Sequence, residues 1–311
     1  MDQSKTISWR EEYEELMFGP SRTEKTISRA VEIKNEHMPE LLFKYRQCSE
    51  NSFDALERDY LFSSQPSEFN DIFEGAIEIS SADAKSNLYQ KTYKRLRNTY
   101  PQLIDTPTYS YQDLMKNIAI SLDGSYQDIE QNHPLFPVME TLGHMTEQKH
   151  SEVIKSIQRY ARNMYNICCF SDSYDNETMW AYYADSHKGF CVGYDIKGLN
   201  NDMTELTLPV LYKKDCSLCV DDLDELNSSD CMHMLTVKTQ KWNHEREWRT
   251  FFKATPPKNR ENMPCAKVVY LGANIFSEHE QKLKIICEQK KIKVYKMHLQ
   301  IAEHRLVPTL I

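Results

Sequence analysis

Ile167-Cys168-Cys169-Phe170-Ser171 and Phe190-Cys191-Val192-Gly193-Tyr194-Asp195-Ile196 are two apolar runs of strand length, and they decide the fold. Cysteine, aromatic and β-branched residues dominate them, which suits a buried strand better than a surface helix. Downstream, Leu206 to Tyr212, Trp248 to Lys253 and Lys267 to Leu271 read as further strands. Phe276 to Gln289 has helical spacing, and Ile292 to Leu299 alternates as a closing strand. Upstream, Leu41 to Arg46 reads as a strand and Phe53 to Tyr60 as a helix, with Leu61 to Ser64 a short strand before Pro66. Phe69-Asn70-Asp71 is a turn, because Asn and Asp side chains close local turns on their own backbone.

Between these strand regions the period changes. Leu88, Tyr89, Tyr93, Leu96 and Tyr100 recur at helical intervals, as do Val153, Ile154, Ile157, Tyr160, Ala161 and Met164. The expected architecture is therefore α+β: a strand-rich mixed or antiparallel core spanning 39–311, with a helical insertion at about 84–165. Residues 1–38 are expected to form a helical N-terminal extension, with Trp9 to Phe18 as a short amphipathic helix.

Composition narrows the classes of function. The chain has 311 residues, a formal net charge of −8 and only 8 Gly and 12 Pro, so long linkers and repeats are not expected. A net negative charge disfavours general nucleic-acid binding, which draws on clustered Lys and Arg. The run Lys91, Lys94, Arg95 and Arg97 reads as a solvated helix face. Nine Cys without a signal peptide point to reduced thiols and a cytoplasmic protein. No apolar run reaches the roughly 20 residues that span a bilayer, so no membrane partner is expected.

Candidate chemistry gathers in two places. Cys169 to Phe190 carries Trp180, Tyr183 and His187 among small turn-forming residues, an inventory that fits a pocket for a polar, ring-bearing ligand or a polar core network. His187 is a candidate base, a ligand donor or a satisfied structural histidine. Trp242 to Phe252 contains Glu245-Arg246-Glu247-Trp248-Arg249, in which a period of two sets Glu245 and Glu247 opposite Arg246 and Trp248. Those carboxylates could bond sugar hydroxyls or stabilise a developing cation; the pattern by itself favours a surface salt-bridge patch of alternating charges. Cys216-x-x-Cys219 and Cys231-x-His233 have zinc-like spacing, but the acidic, loop-like surroundings favour ordinary thiols, and no metal is expected. No Walker loop, dinucleotide glycine fingerprint, His-Glu-x-x-His helix or Gly-x-Ser-x-Gly elbow is present.

The chain resembles a bacterial domain-of-unknown-function family. Leu42 to Arg46, Phe69-Asn70-Asp71-Ile72-Phe73-Glu74, Met179 to Gly189 and Glu245 to Arg249 carry the likeness, with Ile72 where the family has Pro. More loosely, the order of a basic first strand, a middle strand with aromatic and Ser residues and a late Glu-x-Glu is similar to ADP-ribosyltransferases, which split NAD at the nicotinamide–ribose bond. That resemblance implies a toxin or anti-phage effector that takes NAD as substrate. Arg46 or Lys44 would hold the phosphates, Ser171 or Tyr183 would frame the ribose, and Tyr45, Trp180 and His187 would complete the pocket. Glu247 would stabilise the oxocarbenium-like centre and Glu245 would orient an acceptor, which could be a protein side chain, a nucleic acid or water. A non-catalytic ligand-sensing or partner-binding module is the alternative. Glu247→Gln, nearly isosteric, is expected to abolish turnover and leave folding intact.

Overall fold

The structure is a computed structural model that describes residues 8–19, 21–75, 152, 155–199, 201–214, 228–254 and 260–311. The chain divides into two compact units, one of Met1–Gly75, Arg162–Asp215 and Leu235–Ile311, the other of Ala76–Ala161 and Cys216–Met234. Most of the second unit, and with it most of the expected helical insertion, lies outside the described residues. Its described parts are helical, over residues 155–161 and at Ser228–Met234.

The first unit is α+β. It opens with α1 (Trp9–Phe18), started by a reciprocal capping box in which the Ser8 hydroxyl accepts from the Glu11 amide and the Glu11 carboxylate accepts from the Ser8 amide at 2.8 Å. Helix α2 (Glu24–His37) follows. Both helices pack on the unit: the Trp9 ring lies 4.6 Å from His37 and 6.1 Å from Trp248, and Tyr13 is buried.

Eight strands form the central sheet: β1 (Leu42–Arg46), β3 (Tyr165–Ser171), β4 (Phe190–Tyr194), β5 (Thr207–Pro209), β8 (Glu247–Lys253), β10 (Ala266–Leu271), β11 (Lys293–Gln300) and β12 (Arg305–Leu310). Their order across the sheet is β12-β11-β10-β4-β1-β3-β8-β5. Within this sheet only β10 and β11 run parallel. A parallel pair needs a crossover, and the helix between them, Ser277–Lys290, supplies it while burying Leu283, Ile286 and Cys287.

The sheet has two covered faces. On one, Leu42, Phe170, Phe190, Val192, Tyr194 and Trp248 meet Phe53 and Leu56 of α3 (Glu50–Glu57) and the crossover helix. On the other, Phe43, Tyr45, Cys191 and Tyr270 meet Met179 and Trp180 of α4 (Glu177–Tyr183). Because side chains alternate along a strand, β1 sends Phe43 and Tyr45 to the second face and Leu42, Lys44 and Arg46 to the first. Two small ribbons complete the unit: β2 (Tyr60–Phe62) pairs antiparallel with β9 (Arg260–Asn262), and β6 (Leu211–Lys213) pairs parallel with β7 (Val237–Thr239).

Two sequence expectations need correction, and one strand went unread. The single strand expected over Leu206 to Tyr212 is two: β5 ends at Pro209 in the central sheet, and β6 leaves it to join β7. Proline has no amide to donate, so the ladder breaks there. The helix expected to reach Tyr60 stops at Glu57, and Tyr60 opens β2. Strand β12, which carries Pro308, escaped the alternation altogether.

The end of α4 is unusual. Asp185, Ser186 and His187 follow one another with φ of 47, 51 and 67°, a left-handed run that costs L-residues about 1–2 kcal/mol each. Close backbone contacts hold it: the His187 amide donates to the Trp180 carbonyl at 3.2 Å, and the His187 carbonyl accepts from the Asn274 amide at 2.9 Å. Gly272 is needed at this crossing, because a Cβ there would stand 2.1 Å from the His187 carbonyl oxygen.

Candidate functional site

Three neighbouring strands align one row of side chains on the α4 face. Phe43 on β1 pairs directly with Ser171 on β3, and Ser171 with Glu247 on β8. Directly opposed residues share a face. Above this row lies a cavity of about 300 Å³. Lys44, Tyr45, Ser171, Tyr183, Glu245 and Glu247 line it, together with Phe43, Phe69, Asn70, Met179 and Lys238. The sequence spreads these residues over some two hundred positions, and the fold brings them to one wall.

The polar side of the wall is a buried ion cluster. Lys238 donates to Glu245 at 2.6 Å and to Glu247 at 3.2 Å, and its ammonium sits 4.6 Å from the centre of the Trp242 ring. Arg249 donates to Glu247 through Nε at 2.9 Å and Nη2 at 3.1 Å, and grips Glu74 at 2.5 and 3.0 Å. A further hydrogen bond runs from Arg249 to the Leu235 carbonyl. Tyr183 donates to Glu245 at 2.6 Å and accepts from Asn70 at 2.8 Å. Lys238, Glu245, Glu247, Arg249 and Glu74 are all buried. Of the alternating charges from Glu245 to Arg249, Glu245, Glu247 and Arg249 therefore belong to a desolvated network and only Arg246 lies at the surface.

The local backbone explains how two glutamates converge although only one is in a strand. Gln240–Glu245 is a 3-10 turn, and Arg246 takes a left-handed conformation with φ 48°. That residue swings outward to Asp172, 2.6 Å away, and the chain re-enters as β8 with Glu247 facing inward. The Ser171 hydroxyl ties the turn down by donating to the Glu245 carbonyl at 2.8 Å.

Protonation follows from burial and partners. Burial alone raises the Glu247 carboxyl, but Arg249 and Lys238 outweigh it and hold the group at about 2. Glu74 moves the other way, because it loses more to burial than the Arg249 guanidinium returns. Burial lowers the Lys238 ammonium, but the charges of Glu247 and Glu245 more than reverse this and it is raised overall. Burial, then the Glu245 charge, push the Tyr183 phenol well above its usual value, so it serves as a hydrogen-bond donor at neutral pH.

Several expected site residues stand elsewhere. Arg46 projects to the opposite face of the sheet, beside Phe190 and Tyr194, and does not line the cavity. Its Nε and Nη2 are buried with no hydrogen-bond partner among the described residues. Trp180 is fully buried beneath α4, donating to the Tyr174 carbonyl at 2.8 Å with its ring edge on Tyr45. His187 stacks 6.3 Å from Trp180 in the left-handed run, and burial lowers its pKa. Lys44 remains at the cavity, with its ammonium directed to the Cys169 carbonyl at 3.0 Å. Cys216 and Cys219 lie outside the described residues. No cluster of three potential metal ligands occurs among the described residues, and no described helix is long and apolar enough to cross a membrane.

The sequence reading missed Lys238 and gave Glu74 and Arg249 no role. Lys238 lies seven and nine positions before its two partners, and nothing local distinguishes it from other lysines.

Residues 179–250 match the model of a family described as a protein of unknown function (DUF2971). The match contains Met179 to Gly189 and Glu245 to Arg249, the segments that build α4 and the carboxylate wall; β1 and Glu74 lie outside it. No curated protein and no solved structure matches the chain significantly.

Proposed function

We propose that the cavity binds the nicotinamide–ribose part of NAD, and that the protein is an ADP-ribosyltransferase-like enzyme acting in the bacterial cytoplasm as a toxin or anti-phage effector. The observation that carries this reading is the carboxylate pair: Glu245 and Glu247, joined by one ammonium, face a cavity walled by Phe43, Tyr45, Phe69 and Tyr183. When the ribose C1′–N bond breaks, nicotinamide leaves with the bonding electrons and positive charge grows on the ribosyl group. A fixed carboxylate that stays ionised stabilises that charge without first reorganising. Glu247 fits this role, since Arg249 and Lys238 hold it in place and keep its proton off. A nucleophile then bonds to C1′ and gives up its proton to solvent water. Glu245, bonded to Tyr183, is placed to orient that acceptor.

A cavity of about 300 Å³ is at the small end of ligand sites, sized for a ring and its sugar, with the rest of the dinucleotide extending outward. Lys44 lines the cavity and Arg46 does not, which leaves Lys44 as the cation of the first strand within reach of phosphate.

One observation favours a second reading. Both Glu247 oxygens already carry hydrogen bonds, as expected of a static cluster that shapes a sensing pocket without turnover. Incubating the purified chain with adenylate-labelled NAD, with and without cell lysate, separates the two. Release of nicotinamide, with label transferred to an acceptor or to water, supports the enzyme. NAD binding without nicotinamide release supports the sensor, and neither binding nor consumption removes NAD from the account.

A further inference from the structure

We infer that Lys238 is the positioning residue of this site, holding Glu245 and Glu247 together as a working pair. Its effect on catalysis rests on the NAD reading above; its effect on the pair does not. Among the described residues, its ammonium is the one group that bonds both carboxylates, at 2.6 and 3.2 Å, so the oxygens it joins are less than about 6 Å apart. Other contacts act on one member alone. Tyr183 from α4 reaches Glu245, while Arg249 on β8 and the Cys169 thiol on β3 face Glu247. The Tyr212 phenol on β6 meets the Glu247 amide, and Glu74 stands beyond Arg249. Trp242 covers the ammonium, so water cannot easily replace it.

Without the ammonium, two buried carboxylates would be left side by side with no cation between them. Like charges so placed cannot both stay ionised cheaply, and the pair takes up a proton. Its folded-state pKa then exceeds its unfolded value. The stability of the protonated pair is complete below the unfolded pKa and is lost as pH rises through the folded one. A merely space-filling lysine would give no such pH signature.

The test uses the full chain as wild type, Lys238→Arg, Lys238→Met and Lys238→Met/Glu245→Gln, with thermal unfolding followed at about pH 5 and about pH 8. The expected result is that Lys238→Met loses more thermal stability at the higher pH, that Glu245→Gln in the same chain removes the difference, and that Lys238→Arg keeps most of the wild-type behaviour. A loss equal at both pH values and unaffected by Glu245→Gln overturns the inference. A second arm follows NAD consumption against pH, where Lys238→Met is expected to move the acidic limb upward by about one unit or more. A rate that is merely scaled down, with its pH profile unmoved, also overturns the inference. If the wild type consumes no NAD, the NAD reading fails on that result alone, and the unfolding arm still decides the role of Lys238.

Discussion

Replacing Arg249 with Met should be the most damaging single change in the ion cluster. The guanidinium is fully buried and donates five hydrogen bonds, two to Glu247, two to Glu74 and one to the Leu235 carbonyl. Methionine fills much of the same length but bonds none of them, so two carboxylates are left in the interior, with Lys238 the one cation among the described residues still bonded to Glu247. Breaking a buried ion pair from one side costs about 3–5 kcal/mol, chiefly because the remaining charge is stranded. For a unit of this size that corresponds to a Tm lower by roughly 6–20 °C. Urea unfolding monitored by the fluorescence of buried Trp180 and Trp248 gives the free energy directly. The loss should also depend on pH. In the wild type, Glu247 is held at about 2 against an ordinary 4.5, so its contribution is present above 4.5 and fades as pH falls toward 2. In the variant, both carboxyls are raised, so folding is penalised most at neutral pH and the penalty shrinks in acid as they take up protons. The gap between the two proteins should therefore narrow from about pH 7 to about pH 4. Adding Glu74→Gln should recover part of the loss, because one stranded charge is gone. An Arg249→Met protein within about 1 kcal/mol of wild type at neutral pH would refute this account of the cluster.

Other changes test separate parts of the structure. Tyr183→Phe removes the bonds to Glu245 and Asn70 and should cost about 1–3 kcal/mol in urea unfolding. Gly272→Ala drives a methyl group to within 2.1 Å of the His187 carbonyl oxygen and should destabilise by about 1–3 kcal/mol, read as a lower Tm. Arg46→Ala should leave NAD affinity within about twofold of wild type by calorimetry, since Arg46 does not line the cavity, whereas Lys44→Ala, at a residue that does, should weaken it about tenfold.

What the sequence revealed depended on how local each cause was. Apolar runs at Ile167–Ser171, Phe190–Ile196 and Lys267–Leu271 could be read as strands because their burial on both faces leaves a continuous apolar signature. The crossover helix after β10 was legible from its spacing and from the strand that follows it. Tyr183 stood out among polar aromatics too concentrated for an ordinary core segment, whereas Glu245 and Glu247 were legible as a carboxylate pair but read more readily as part of a surface patch. The rest depended on long-range geometry. Whether Arg46 shares a face with Glu247 is set by the register of β1 against β3 and β4, where each step of one residue reverses the side chain. Lys238 reaches its partners only because a 3-10 turn and a left-handed Arg246 fold the chain back over β7. No periodicity encodes that. The same geometry alters one expectation: Glu247→Gln is isosteric, but it withdraws charge from beside two buried cations, so it should cost stability as well as activity.

Nicotinamide release from NAD by wild type and Glu247→Gln, compared per folded molecule after circular dichroism has established the folded fraction, tests the central claim most directly. The account predicts release by the wild type and a fall of about two to four powers of ten in the chemical step of the variant, with NAD binding retained. Equal release by both proteins, or a folded wild type that neither binds NAD nor frees nicotinamide, would contradict it.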